Sequence, residues 1–506
     1  MKKKLLYTLF IALIPLGFTS CDMNLMPPGS VYPDNALQTI DDAKKLRDGF
    51  YVAFRGATTG SVNYLQDLGT DLYHATVGFG NRGGTQYFWQ TTADDPDAKS
   101  FWANRYYYIA NTNFFIEKAN LVNKSEWSAE NIATLKLWKG EAFFFRAFYH
   151  WQLADKYCLA YSEANKGTYG VPYMKRYEAT SDASKYPSRG TLEDTYKDIL
   201  EDLDSAAAYI TTEGTPKSTR ITVDALNAFR ARIALYHGDY QQAVDLASAL
   251  VNSGKYQLTS TPEAFNAIWT DTDASQSEDI VQLFVSYEKG EMPNNNNYGF
   301  IGYDGNAKKY QYVDYLPEQW LIDIYPEKDI RFGTYFKEVK VEISSYDPGI
   351  AYIFYKYVGD QTLKTPGSAN NSERVAPKPF RIAEVHLILA EAYYRLGQAA
   401  KAQDALTALR AKRIPGYTPG STSDLLEEIR IERIRELIGE GSYVTDLKRF
   451  GKDVERKDAV NPALIYMPGT YQDYHVSAND PKFLWPIPKE EIDANPNIKN
   501  EQNPGY

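Results

Sequence analysis

An apolar stripe that recurs every three to four residues, and is cut by a glycine, commits much of this chain to helices packed in pairs. Leu226, Phe229, Ile233 and Tyr236 fall on one helix face. Gly238-Asp239 stops that helix, and Ala243, Leu246 and Leu250 mark its return. Val385, Leu389, Ala392 and Leu396 repeat the spacing, Gly397-Gln398 breaks it, and Ala402, Ala405 and Leu409 follow. In both segments an alanine stands five residues after the turn glycine, where two helices must cross closely. The two glycines lie 159 positions apart, so the hairpins do not form a tandem array in the sequence.

These segments resemble tetratricopeptide-type helical hairpins. Further helical signals cover Ile40–Arg55, Phe101–Val122, Glu130–Lys156 and Leu192–Tyr209. The expected fold is therefore mainly α, with hairpins around 101–157, 191–253 and 380–412 as a scaffold. A loop-rich, minor-β insertion over 254–379 carries short β-like pieces at Ile280–Ser286 and Ala351–Val358. Residues 60–99 read as a Gly-, Asn- and Thr-rich loop, and 466–506 as an irregular segment rich in Pro and Asn. Rigid frame and variable loops is the usual division between scaffold and recognition surface.

Lys2, Lys3 and Lys4 precede an apolar run from Leu5 to Phe18, and Thr19-Ser20 leads into Cys21. The run is short for a membrane span and its flanks are those of a secretory signal. A cysteine at its end resembles a bacterial lipobox, with Phe18 where the commonest examples carry Leu. That resemblance implies a signal peptide over 1–20, acylation (palmitate) of Cys21, a lipidated extended leader over 21–38, and one domain over 39–506. Several acyl chains at about 0.8 kcal/mol per buried methylene hold a domain on a membrane durably.

Removing that signal leaves 52 basic against 65 acidic residues, a net charge of −13, which argues against nucleic acid or an anionic membrane as a partner, since either needs a basic face. Only Cys158 then remains as a thiol, so the fold relies on its core rather than on an intrachain disulfide. The chain has 41 Tyr, and tyrosine suits both helix packing and polar binding surfaces.

Several stretches together resemble the SusD/RagB family of outer-membrane nutrient-binding lipoproteins. Gly140-Glu141-Ala142-Phe143-Phe144-Phe145-Arg146-Ala147, with Tyr149, Leu153 and Gly170-Val171-Pro172, is the most specific. Arg381, Ala383-Glu384, Leu387 and Ala390-Glu391-Ala392 form a second signature. Glu432-Arg433, Glu436-Leu437, Glu440-Gly441 and Asp446-Leu447-Lys448-Arg449 form a third. Leu484-Trp485-Pro486-Ile487-Pro488 and Gln502-Asn503-Pro504-Gly505-Tyr506 close the chain. Charged residues on such apolar helices are tolerated when paired, so these signatures are expected to hold the fold rather than touch ligand.

The resemblance implies a non-catalytic, cell-surface binding protein of the outer membrane, without a cofactor. It would deliver an oligosaccharide to a partner TonB-dependent transporter of the SusC/RagA type, closing over it as a lid. A peptide ligand and a surface glycoside hydrolase are the alternatives. Sugar rings pair apolar faces with polar edges, so flat aromatics beside Asn and Asp are the expected contacts. The candidates are Tyr73, His74, Asn81, Tyr87 and Trp89 in the early loop, and Asn295, Tyr298, Tyr303 and Tyr310 in the insertion. Gly78-Phe79-Gly80-Asn81-Arg82-Gly83 has the spacing of a dinucleotide loop, but no buried strand is expected before it and no helix after it. The five histidines are scattered without metal-ligand spacing, so no metal site is expected.

Overall fold

The computed structural model describes residues 36–506 except 123–125, 179, 294–297, 344–347, 421–423, 457–458, 460 and 467–473. Cys21, the signal segment, most of the leader and Asn295 lie outside the described residues. The first helices in chain order are α1 (Ile40–Ala57), α2 (Gly84–Tyr87), α3 (Pro96–Leu121), α4 (Ala129–Tyr157) and α5 (Leu192–Ala207). Then come α6 (Val223–His237), α7 (Tyr240–Asn252), α8 (Pro262–Thr270), α9 (Tyr298–Ile301), α10 (Gln319–Asp323) and α11 (Phe332–Tyr335). The last are α12 (Ile382–Arg395), α13 (Ala399–Arg413), α14 (Leu425–Leu437), α15 (Tyr443–Phe450) and α16 (Lys489–Ala494). The fold is mainly α, as the periodicity indicated.

Helix starts follow capping chemistry. Thr39 and Thr191 each form a capping box with an aspartate three residues on. Asp95 accepts from the amides of Asp97 and Ala98, with Pro96 at the first helical position. That start signal lengthens α3 beyond the Phe101 boundary expected from its apolar residues. The helix α6 is capped by Gly238, and α12 is capped by Leu396, one residue before Gly397. The hairpin partners pack on each other, and α7 also packs directly on α12. Two hairpins separated by a long insertion are thus neighbours in space, because the chain leaves the helical stack and returns to it.

The larger core belongs to this helical stack. Phe144, Phe145 and Phe148 each meet Phe54 edge to face, with Phe54 4.9 Å from Phe148 between ring centroids. A second core under the loop-rich part gathers Tyr73, Tyr87, Phe300, Tyr335 and Phe354. The signature charges pair within these cores. Arg47 clamps Glu141 with bonds of 2.6 and 2.7 Å, and Arg146 clamps Asp202. Glu436, fully buried, accepts from Arg331, Arg381 and Arg413 at 3.0, 2.8 and 2.9 Å. Those three guanidinium groups hold its carboxyl far below the usual carboxylate range despite its burial.

Strands are few and short: β1 (Tyr73–Ala75), β2 (Asp279–Val281), β3 (Tyr303–Asp304), β4 (Lys309–Tyr310), β5 (Tyr315–Pro317), β6 (Phe336–Val341), β7 (Gly349–Phe354), β8 (Phe380–Arg381), β9 (Val454–Glu455) and β10 (His475–Val476). A four-stranded sheet runs β3-β4-β6-β7, and its β4–β6 step is parallel. Elsewhere β1 pairs β5, β2 pairs β8 and β9 pairs β10, all antiparallel. Contrary to the sequence expectation, a buried strand does precede the early glycine loop and a helical turn, α2, follows it. That strand spans three residues and pairs antiparallel with β5, so it is not the opening strand of a parallel nucleotide-binding unit.

Candidate functional site

Two recesses in the surface are lined by aromatic and charged side chains together. The first, about 1,200 Å3 of open space, lies at the seam between helical stack and loop-rich part, beside Trp151, Arg232, Trp269, Arg381, Glu384 and Glu440. Its charges are committed to one another. Arg232 forks onto Glu384 with two bonds of 2.6 Å, Arg381 meets Glu440 at 2.5 Å, and Lys156 meets Asp155 at 3.0 Å. Arg232–Glu384 ties α6 to α12 within the stack, and Arg381–Glu440 ties the start of α12 to the turn after α14.

The second is an open cleft of about 650 Å3 lined by Arg82, Gly302, Tyr303, Tyr312, Asn370 and Glu373. The β3–β4 hairpin builds it. Antiparallel register sets Tyr303 opposite Tyr310, and their ring centroids lie 4.9 Å apart at a tilt of 50°. Two residues further on, Tyr312 stands 57% exposed. Gly302 shapes the turn into the hairpin. Its φ is +58°, and a Cβ there would meet Val313 N at 2.2 Å. Both Gln311 N and Tyr312 N donate to its carbonyl, at 3.1 and 3.0 Å. Only a residue without a side chain fits so close an approach.

Polar groups surround the rings. Arg82 Nε donates to Asp314 Oδ2 at 2.6 Å, which holds a half-exposed guanidinium at the rim. Burial pushes the Asp314 carboxyl up, and Arg82 draws it partly back. Asn370 Oδ1 accepts from Gly305 N at 2.8 Å, bracing the hairpin. Lys337 Nζ donates to the Tyr310 hydroxyl at 3.0 Å and lies 4.8 Å from the Tyr355 ring centroid. Glu373 is 7% exposed with φ +53°, and burial pushes its carboxyl up to about 7. Half-exposed rings edged by an amide, a guanidinium and a carboxyl suit a ligand with apolar faces and hydroxyl edges.

The sequence candidates scatter across the structure. Tyr303 and Tyr310 come together on the hairpin, and exposed Asn81 precedes the rim residue Arg82. Tyr73, His74 and Tyr87 have 0%, 1% and 1% exposure, so these three present no surface to a ligand. The rings of Tyr73 and Tyr87 pack in the second core, while His74 Nε2 lies 3.5 Å from buried Glu318. Trp89 donates to Gly69 O at 2.6 Å and packs edge-on against Phe483, beside a separate recess that includes Gln66 and Lys482. Tyr298 opens α9, and its side chain is outside the described atoms. Tyr312, Arg82, Asn370 and Glu373 were missed as candidates. Tyr312 had one available signal, its place two residues beyond Tyr310; the others are joined to the cleft only by folding.

A family model described as SusD family matches residues 344–506, and one described as starch-binding associating with outer membrane matches residues 30–235. The chain is similar to a SusD-like protein of Formosa agariphila, 22% identical over 542 residues and covering 98% of each. A SusD superfamily protein from Bacteroides thetaiotaomicron superposes with a TM-score of 0.75 at 25% identity, over 92% of this chain and 100% of its own. A SusD-like carbohydrate binding protein from Bacteroides vulgatus gives a TM-score of 0.74 at 17% identity, over 92% of this chain and 98% of its own. At that identity the likeness is one of fold.

Proposed function

The chain belongs to the SusD/RagB-like family, and from that membership we propose that it is a non-catalytic carbohydrate-binding protein of the bacterial outer membrane. The reading rests on one observation above the others: the half-exposed tyrosine cluster of the β3–β4 hairpin, edged by Arg82, Asn370 and Glu373. Tyr303, Tyr310 and Tyr312 receive the apolar faces of sugar rings, and the polar rim takes their hydroxyls. Delivery of the glycan to a TonB-dependent transporter of the SusC/RagA type, and anchoring through a lipid on Cys21, complete the proposal. Among the described residues no helix is long and apolar enough to cross a membrane; the lipid tether is proposed from the apolar run Leu5–Phe18 that leads to Cys21.

The test is titration of the purified protein with a panel of oligosaccharides, in parallel with Tyr312→Ala and Tyr303→Ala. Binding that falls in both variants supports the cleft; binding unchanged in both overturns it. Glycan breakdown that Glu373→Gln abolishes would instead make this a hydrolase. Recovery of a transporter with the detergent-extracted native protein tests delivery, and mass spectrometry of the mature N-terminus tests acylation of Cys21.

A further inference from the structure

On a face built by the C-terminal β-pair, strand register brings His475 beside Asp453 and Glu455, which lie two positions apart on the facing chain. His475 lies opposite Glu455 and Val476 opposite Val454. Alternation turns Val454 and Val476 inward, at 0% and 4% exposure, and leaves Asp453, Glu455 and His475 on the outer face. His475 Nε2 lies 2.9 Å from Asp453 Oδ2, across 22 positions of sequence. The other carboxylate oxygen, Asp453 Oδ1, accepts from Ala478 N at 2.7 Å, which fixes the group in place. One ligand atom from each of the three lies within 4.8 Å of the other two.

Among the described residues, the flanking cations Lys452, Arg430 and Arg456 have partners outside this group. Lys452 Nζ lies 3.1 Å from Glu427, and Arg430 donates to the same carboxylate at 2.9 Å. Arg456 turns inward, toward the carbonyls of Thr70, Leu68 and Tyr87. Asp453 and Glu455 also wall an open cleft of about 1,050 Å3 shared with Asp71, Trp320, Arg430 and Tyr443. In that cleft Trp320 Nε1 and the Tyr443 hydroxyl hold Asp71 through bonds of 2.6 and 2.7 Å.

We propose that Asp453, Glu455 and His475 bind a divalent transition-metal ion of the Zn2+ class at the rim of this cleft. The imidazole decides the metal class. Calcium and magnesium take oxygen ligands, whereas one nitrogen with two carboxylate oxygens suits Zn2+ and its neighbours. Ligand bonds of about 2.0–2.2 Å set donor atoms ~3.3 Å apart around one ion, a contraction that exposed side chains reach by rotamer adjustment. The ion would sit between Nε2 and Oδ2 in place of their direct contact, with its remaining coordination positions left to water or to oxygens of a molecule in the cleft. This site is separate from the tyrosine cleft and does not depend on the proposed glycan role.

The test is calorimetric titration of the purified full chain with ZnCl2, and separately with CaCl2, at neutral pH. One Zn2+ per chain at micromolar Kd is expected, with at least tenfold weaker binding in His475→Ala and in Asp453→Asn. Co2+ substitution gives a second readout, a visible absorption band that both variants lose. The variants lie on the surface, and unchanged Tm values verify their folding. Absence of Zn2+ binding, binding that survives His475→Ala at equal affinity, or binding of Ca2+ alone overturns the proposal.

Discussion

Glu373 offers a sharp test of the cleft's electrostatics through Glu373→Gln. The residue is 7% exposed, and burial lifts its carboxyl from the ordinary 4.5 to about 7. Because the folded state holds this proton more tightly than the unfolded chain, the folded state is favoured at acid pH. That advantage is complete below pH 4.5, declines as pH rises toward 7, and is gone above it. A tenfold change in a protonation equilibrium is worth about 1.4 kcal/mol, so ionising Glu373 in place costs about 3 kcal/mol. Glutamine copies the shape of the neutral acid and never ionises. Urea unfolding of both proteins at pH 4.5, 6 and 8 should therefore show curves that separate with pH. The variant should be the more stable by about 3 kcal/mol at pH 8, relative to their difference at pH 4.5. Parallel pH profiles would refute the reasoning, and would mean that the carboxylate is well solvated or well paired when charged.

Tyr312→Ala should lower glycan affinity about tenfold while leaving stability within about 0.5 kcal/mol, because its ring is mostly in solvent; calorimetry and thermal melts check the two halves. Gly302→Ala should destabilise the chain by more than about 1 kcal/mol and weaken glycan binding with it, since its Cβ would meet backbone at 2.2 Å on a positive φ; urea midpoints report the first effect. Glu436→Gln strips the charge shared by three buried arginines and should cost about 3–5 kcal/mol in urea unfolding. Neighbouring Glu432 is held down to about 2 by Arg331, Arg410 and Arg435 against its burial, so its stabilisation is full above pH 4.5 and disappears as pH falls toward 2; Glu432→Gln should flatten acid unfolding in that window.

The parts of the fold that were legible in the sequence are those governed by local periodicity. The stripe at Leu226, Phe229, Ile233 and Tyr236 buries all four residues, and Gly238 ends the helix as expected. Glu141, Glu384 and Glu391 pair with Arg47, Arg232 and Arg449. Buried carboxylates on apolar helices demand such partners, although the sequence did not identify Arg47 or Arg232. The proposed binding surface was only partly legible. Tyr303 and Tyr310 were in view, but Tyr73 and Tyr87 look no different in a loop-like stretch and prove to be core.

Sequence alone thus determined the helical scaffold, its turn points, the need for charge pairing and the family signatures, because each depends on neighbours within a few turns of chain. Tertiary structure alone decided which tyrosines face solvent, which hairpins stack side by side, and that His475 meets Asp453 across paired strands. Burial of a ring in an irregular segment depends on which remote chain packs over it, and that choice leaves no periodic trace among its neighbours.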